Sequence, residues 1–110
     1  MKQQPSITIA NFITFKAKPG KATELANLLA GGAVAVVNTE PQTLGWYSVQ
    51  IDAQTFAIID FFANQTGQEA HLNGQVAALL KSKSDELIEG GWENGVIKNF
   101  QVMNVLSAAS

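Results

Sequence analysis

Two polar side chains interrupt stretches of this chain that otherwise favour a dry interior, and a lone imidazole follows the second of them. Asp60 breaks the apolar run from Phe56 to Ala63, and Asn11 sits on the greasier face of an alternating segment near the start. His71 is the only histidine. A carboxylate or amide moved out of water must be hydrogen-bonded or paired, so neither is placed in such a run without cost. An imidazole titrates near neutrality and is the natural proton acceptor at physiological pH. The expected chemistry is therefore proton transfer with a bound ligand. His71 acts as base, Asp60 holds its tautomer and steadies the imidazolium, and Asn11 donates to the ligand oxygen. The plainer alternatives are a structural His71 bonded to a backbone carbonyl, an Asp60 bonded to backbone or lysine, and an Asn11 satisfied by neighbouring backbone or a buried water.

The elements that must carry these groups follow from periodicity. Ile7 to Ala17 alternates as a strand, with Ile7, Ile9, Asn11, Ile13, Phe15 and Ala17 on one face. Lys18-Pro19-Gly20 closes it, and a helix from about Lys21 places Leu25, Leu28, Leu29, Gly32 and Val36 on one side, with Gly31-Gly32 in its middle. The segment Asn38 to Thr43 reads as a loop. Leu44 to Ile51 and Phe56 to Ala63 are strands joined by the polar turn Asp52-Ala53-Gln54-Thr55, a hairpin. Thr66-Gly67-Gln68-Glu69 has the capping-box pattern of a new helix, which carries His71 and a core stripe of Leu72, Val76, Leu79 and Leu80. Asn73-Gly74 marks a possible kink in it. A shorter helical piece at Asp85 to Glu89 stops at Gly90-Gly91, Trp92 to Gly95 forms a turn, and Val96 to Leu106 is a fourth strand. Ser107 to Ser110 reads as a frayed end.

Composition narrows the function. A chain of 110 residues is one domain, residues 1–110, with a real core. Hydrophobic residues make up 46% and charged residues 15%, so either the core is generous or a second subunit covers apolar surface. The formal charge is −2 and all 7 basic residues are lysine. Without arginine there is no planar fork for phosphate or guanine, so no nucleic-acid partner is expected. No cysteine is present, and a single histidine gives no metal-ligand spacing, so no metal is expected. No signal-type segment opens the sequence and no apolar run is long enough to cross a membrane. The expected setting is cytoplasmic, with no membrane partner.

The order strand, helix, strand, strand, helix, strand with right-handed crossovers gives an α+β, ferredoxin-like βαββαβ fold: a four-stranded antiparallel sheet with helices on one face. On the third strand Phe56, Ile58, Asp60 and Phe62 face one way, and Ala57, Ile59 and Phe61 the other. Both faces are apolar, so the face without helices is expected to pack on a second copy, giving a homodimer through the sheet face.

The stretches FKAKPGKATELANLL, EPQTLGWYS and FAIIDFFANQTGQEAHL resemble the antibiotic biosynthesis monooxygenase family of dimeric α/β-barrel proteins, over nearly the whole chain from about Ile7 to Val105. LLAGGAVAVVNTEP is similar to the actinorhodin-type members. The resemblance implies the ferredoxin-like dimeric fold. It also implies membership of a group that includes monooxygenases needing no cofactor, haem-degrading enzymes and proteins without assigned activity. Members of this family usually have Glu or Asn where Asp60 stands and His where His71 stands. Asn11 matches the strand-one Asn of the haem-degrading branch. That branch also has a Trp where this chain has Phe62, and a second-helix His where it has Gln75 to Leu80. The actinorhodin-type enzymes have a Trp and a Tyr near the positions of Asn64 and His71, and the only Tyr here is Tyr47.

The reading that unites these signals is a small dimeric monooxygenase, without metal or flavin, that oxidises a hydroxylated aromatic or quinol with O2. Its catalytic residues are His71, Asp60 and Asn11, and Trp46, Tyr47, Phe62 and Trp92 form an aromatic wall around the substrate. The rival reading is a non-catalytic dimer that binds a hydrophobic small molecule, with those rings serving core or interface.

Overall fold

The computed structural model describes residues 7–109. The opening six residues, read above for a leader segment, and Ser110, read above as part of a frayed end, lie outside the described residues. Four strands, β1 (Ile9–Lys16), β2 (Gly45–Gln50), β3 (Thr55–Phe62) and β4 (Phe100–Asn104), form one sheet in the order β2-β3-β1-β4. Every neighbouring pair is antiparallel. This is the ferredoxin-like arrangement that the element order implies, with the two central strands being the two most apolar ones. In the β2–β3 hairpin, Asp52 closes the turn by accepting from Gln54 N at 3.0 Å and Thr55 N at 2.8 Å.

Alternation decides which side chains meet the helices. Ile13 and Phe15 of β1, Trp46 of β2 and Phe56 and Ile58 of β3 share a face, and they pack with Leu25, Leu29, Leu80 and Leu87 from the helices as one core. Each fully buried side chain of this size adds about 1.5–3 kcal/mol of hydrophobic stabilisation. The opposite face presents Phe12, Thr14, Ile59, Phe61, Tyr47, Val49 and Met103, none of them buried. Tyr47 lies edge-on to Phe61, with centroids 6.1 Å apart, and is exposed.

The helices differ from the sequence expectation in their breaks, their caps and their buried faces. The first is split at Gly31 into α1 (Ala22–Ala30) and α2 (Gly32–Thr39). The second is split at Asn73-Gly74 into α3 (Gln65–Leu72) and α4 (Gln75–Leu87), so the residues read as a possible kink are a full break, and the Asp85 segment is the end of α4. Asn64, not Thr66, caps α3, its Oδ1 accepting from Gly67 N at 2.9 Å. Gln68, read as part of a capping box, is instead buried. Leu72 and Leu79 of the expected core stripe are exposed.

The C-terminal quarter also corrects the reading. The strand expected from Val96 to Leu106 is limited to β4. Before it, Gly91–Val96 makes one wide π-type turn, followed by a tight turn over Ile97–Asn99. Asp85 anchors the wide turn, its Oδ1 accepting from Trp92 N at 3.3 Å. The turn brings Trp92 and Val96 back against the helix-covered side of the sheet. No helix among the described residues is long and apolar enough to cross a membrane.

Candidate active site

Strand register creates the site. Asn11 of β1 lies directly opposite Asp60 of β3, and Asp60 lies directly opposite Trp46 of β2. The three side chains therefore form a row across the sheet, on the face covered by helices. Asn11 and Asp60 are each 1% exposed. Over this row lies a cavity of about 190 Å³. Its polar wall is Asn11, Asp60 and His71, and its rings are Trp46, Trp92 and Phe100. The remainder is aliphatic, from Ile13, Ile58, Val76 and Leu80 among others.

α3 delivers His71 over Asp60. Because Asn64 fixes the start of the helix, Gln68 and His71, one turn apart, both point inward and both are buried. Gln68 Nε2 donates to Asn11 Oδ1 at 2.8 Å. That bond orients the Asn11 amide and leaves its Nδ2 buried without a protein partner. His71 Nε2 is 3.0 Å from Asp60 Oδ2, and His71 Nδ1 is 2.5 Å from Glu40 Oε1. Glu40 Oε1 also accepts from Thr43 Oγ1 at 3.0 Å.

The imidazole is thus clamped between two buried carboxylates. Burial alone would lower its pKa, but hydrogen bonding and charge attraction from Asp60 and then Glu40 outweigh that and raise it above the ordinary value. Both ring nitrogens of His71 are engaged by carboxylates, and neither is left to meet a ligand. The expectation that His71 itself touches the reacting hydroxyl does not fit this geometry. The atoms that are buried and unpartnered are Asn11 Nδ2, Trp46 Nε1, Asp60 Oδ1 and Glu40 Oε2. Three of these belong to the cross-strand row, two as donors and one as an acceptor. Unmet buried polar groups cost about 1–3 kcal/mol each, which a ligand oxygen bearing a hydrogen would relieve.

The expected aromatic wall divides. Trp46 and Trp92 line the cavity. Tyr47 projects from the other face of the sheet, because it follows Trp46 directly in a strand. Phe62 is fully buried beside His71, with ring centroids 5.4 Å apart, and backs the imidazole without reaching the cavity. Glu40 and Gln68 are the residues that sequence reasoning missed. Glu40 carried no signal, being one acid in a polar loop. Gln68 shares a helical face with His71, and that spacing was the available clue. Among the described residues no group of three or more His, Asp and Glu is arranged to hold a metal ion. Glu40 and Asp60 bond opposite nitrogens of one ring, so they cannot converge on a common point.

The chain superimposes on the NE2512 protein of unknown function from Nitrosomonas europaea with a TM-score of 0.85 at 31% sequence identity, covering 96% of this chain and 95% of that one. A candidate antibiotic biosynthesis monooxygenase from Chloroflexus aurantiacus matches at 0.70 and 15% identity, over 94% of this chain and 97% of that one. Another from Bacteroides thetaiotaomicron matches at 0.66 and 12%, over 89% and 87%. At such identities the last two show the fold. No protein-family model matches the chain, and no curated protein does. The identity to NE2512 over almost the full length of both chains means that this chain belongs to one family with it, and its fold is that of the antibiotic biosynthesis monooxygenases, as the sequence resemblance implied.

Proposed function

We infer that the protein is a monooxygenase that oxidises a small hydroxylated aromatic with O2 without a resident cofactor, and that Asp60 is its proton acceptor. The observation that carries this reading is the row Asn11–Asp60–Trp46, with two free N–H donors flanking one free carboxylate oxygen beneath an apolar cavity. Asp60 Oδ1 takes the hydroxyl proton while Oδ2 stays bonded to His71. Asn11 Nδ2 and Trp46 Nε1 then donate to the oxyanion. The proton moves by one hydrogen bond and the site's net charge does not change. His71 and Glu40 hold Asp60 in place and do not touch the substrate.

Magnitudes restrict the substrate. Ordinary carboxyl and phenol pKa values differ by about 6 units, or roughly 8 kcal/mol. Two charge-assisted hydrogen bonds return about 3–6 kcal/mol of that. The remainder must come from the substrate, so its hydroxyl is acidified by a conjugated carbonyl. A cavity of about 150 Å³ holds benzene, so the space under Asp60 suits one substituted ring.

The oxidation balances without another reductant. The anion passes one electron to O2, and the aryloxyl radical and superoxide join through a new bond from carbon to oxygen at an unsubstituted ring position. The peroxide O–O bond then breaks as the ring hydrogen leaves as a proton. One oxygen atom becomes a quinone carbonyl, the other leaves as water, and all four electrons come from the substrate. The dry cavity protects the anion and the radical pair from water.

The test is oxygen consumption with one-ring and two-ring phenols and hydroxyquinones under chelation. Asp60→Asn should lower turnover by about 10²–10⁴-fold while the fold persists. The occupation of both His71 nitrogens favours a second reading, a binding protein without catalysis. Tight binding with no oxygen uptake by any member of the panel would select it.

A further inference from the structure

Trp46 stands between two cavities. The chamber under Asp60 shares Trp46, Ile58, Val76 and Leu80 with a larger cavity of about 470 Å³. That second cavity lies between the α1–α2 break and α4, with Leu28, Leu29 and Leu79 in its wall. Gln75 is the one polar side chain lining it, and it holds none of the unpartnered buried atoms except that of Trp46 itself. Of the four shared side chains, only the indole is broad and flat enough to act as a partition.

The indole is held by a notch. A Cβ at Gly32 would lie 2.4 Å from Trp46 Cη2, 2.9 Å from Cζ2 and 3.0 Å from Cζ3. Only the absence of a side chain lets the ring's far edge sit against the start of α2. The other end of the ring is fixed by β2, which places it in the row with Asp60. A ring pinned at both ends closes the polar chamber on its apolar side.

The geometry points to Trp46, wedged against Gly32, as the residue that sets ligand length: it confines the ligand to the chamber under Asp60 and keeps the second cavity from serving as a tail subsite. This rests on reading that chamber as the ligand site. The natural ligand is then compact, without a long alkyl or fused-ring extension. Replacing the indole with a smaller side chain joins the two spaces into one elongated site.

The experiment measures affinity for 4-alkylphenols of increasing chain length, with the matching alkylbenzenes alongside, by calorimetry. In the native protein affinity rises with the first methylenes and then stops or falls. In Trp46→Leu and Trp46→Phe it continues to rise with the longer members, by about fourfold per buried methylene. A native protein whose affinity keeps climbing through the longest members overturns the inference without any variant. So do variants whose chain-length limit stays where the native limit is. The alkylbenzenes keep this separate from the role of Asp60. Equal binding of phenols and alkylbenzenes by the native protein counts against the proton acceptor, whereas an unmoved chain-length limit in the variants, with the native protein's phenol preference intact, counts against Trp46 alone.

Discussion

Glu40, at the end of α2, and His71, near the end of α3, are 31 residues apart in the chain and meet at 2.5 Å, with both side chains buried. The contact ties α2 to α3 over β3 and favours the charged form of the imidazole. Because the folded pKa of His71 is raised, protonation contributes stability that is fully present below the ordinary value of 6.5 and is lost as pH rises through the folded value. Thermal stability should therefore decline as pH rises above 6.5. Glu40→Gln removes one of the two carboxylates that raise the His71 pKa, so the decline should be smaller and complete at lower pH, with a loss of about 1–3 kcal/mol below 6.5. Melting curves across pH and the titration of the His71 ring protons by NMR check both. An unchanged His71 titration in Glu40→Gln would show that the clamp does not govern it.

Gly74 makes room for that clamp. A Cβ there would sit 2.9 Å from Glu40 Oε2 and 3.2 Å from His71 O, and the backbone oxygen cannot move aside. Gly74→Ala should displace the Glu40 carboxylate and cost about 1–3 kcal/mol. In the double variant with Glu40→Gln the two losses should add to less than their sum, because both act on one contact. Denaturant titration of the four proteins measures this. Full additivity would mean that Gly74 acts elsewhere.

The strands and their faces were legible in the sequence because alternation is a local signal. Asn11 was grouped with Ile13 and Phe15, and Asp60 with Phe56 and Ile58, by parity alone. The alignment of Asn11, Asp60 and Trp46 in one row was not legible, since register depends on how the hairpin and crossover close. Glu40 was invisible for a related reason: its partner lies on another helix, and a polar loop gives no hint that one acid turns inward. The capping of α3 was misplaced because Thr66 to Glu69 matches a capping box as well as Asn64 to Gly67 matches an Asn cap. Local chemistry allowed both, and burial of Gln68 against Asn11 fits only the second. The C-terminal strand was drawn too long because alternation continues through Ile97, where the backbone is already in a helical turn.

The bond from Gln68 to Asn11 separates positioning from catalysis. Asn11→Leu removes a proposed oxyanion donor and should lower kcat by about 10²–10³-fold. It also strands the Gln68 amide in the interior at a cost of about 1–3 kcal/mol. Gln68→Leu leaves the Asn11 donor in place but free to rotate, so the loss in kcat should be smaller at a comparable cost in stability. Steady-state oxygen consumption paired with denaturant titration distinguishes the two. Equal losses of activity would mean that Asn11 acts through packing alone.

An antiparallel sheet commonly leaves its outer face polar to meet water. Here that face carries exposed Tyr47, Val49 and Met103 around half-buried Phe12, Ile59 and Phe61. The small residues Ala10 and Ala57 lie among them, which lets a second sheet approach to the usual stacking distance of about 10 Å. We propose that two copies pack face to face there, burying a total of about 1,200–2,000 Å². Sedimentation at micromolar concentration should then give a dimer. Placing lysine at both Tyr47 and Val49 should give a monomer, because two unpaired charges per copy would be desolvated in the centre of the contact. The polar row and its cavity lie on the opposite side, so one-ring phenols should bind the monomeric variant as tightly as the dimer. A native chain that sediments as a monomer would leave the apolar face unexplained and the dimer without support.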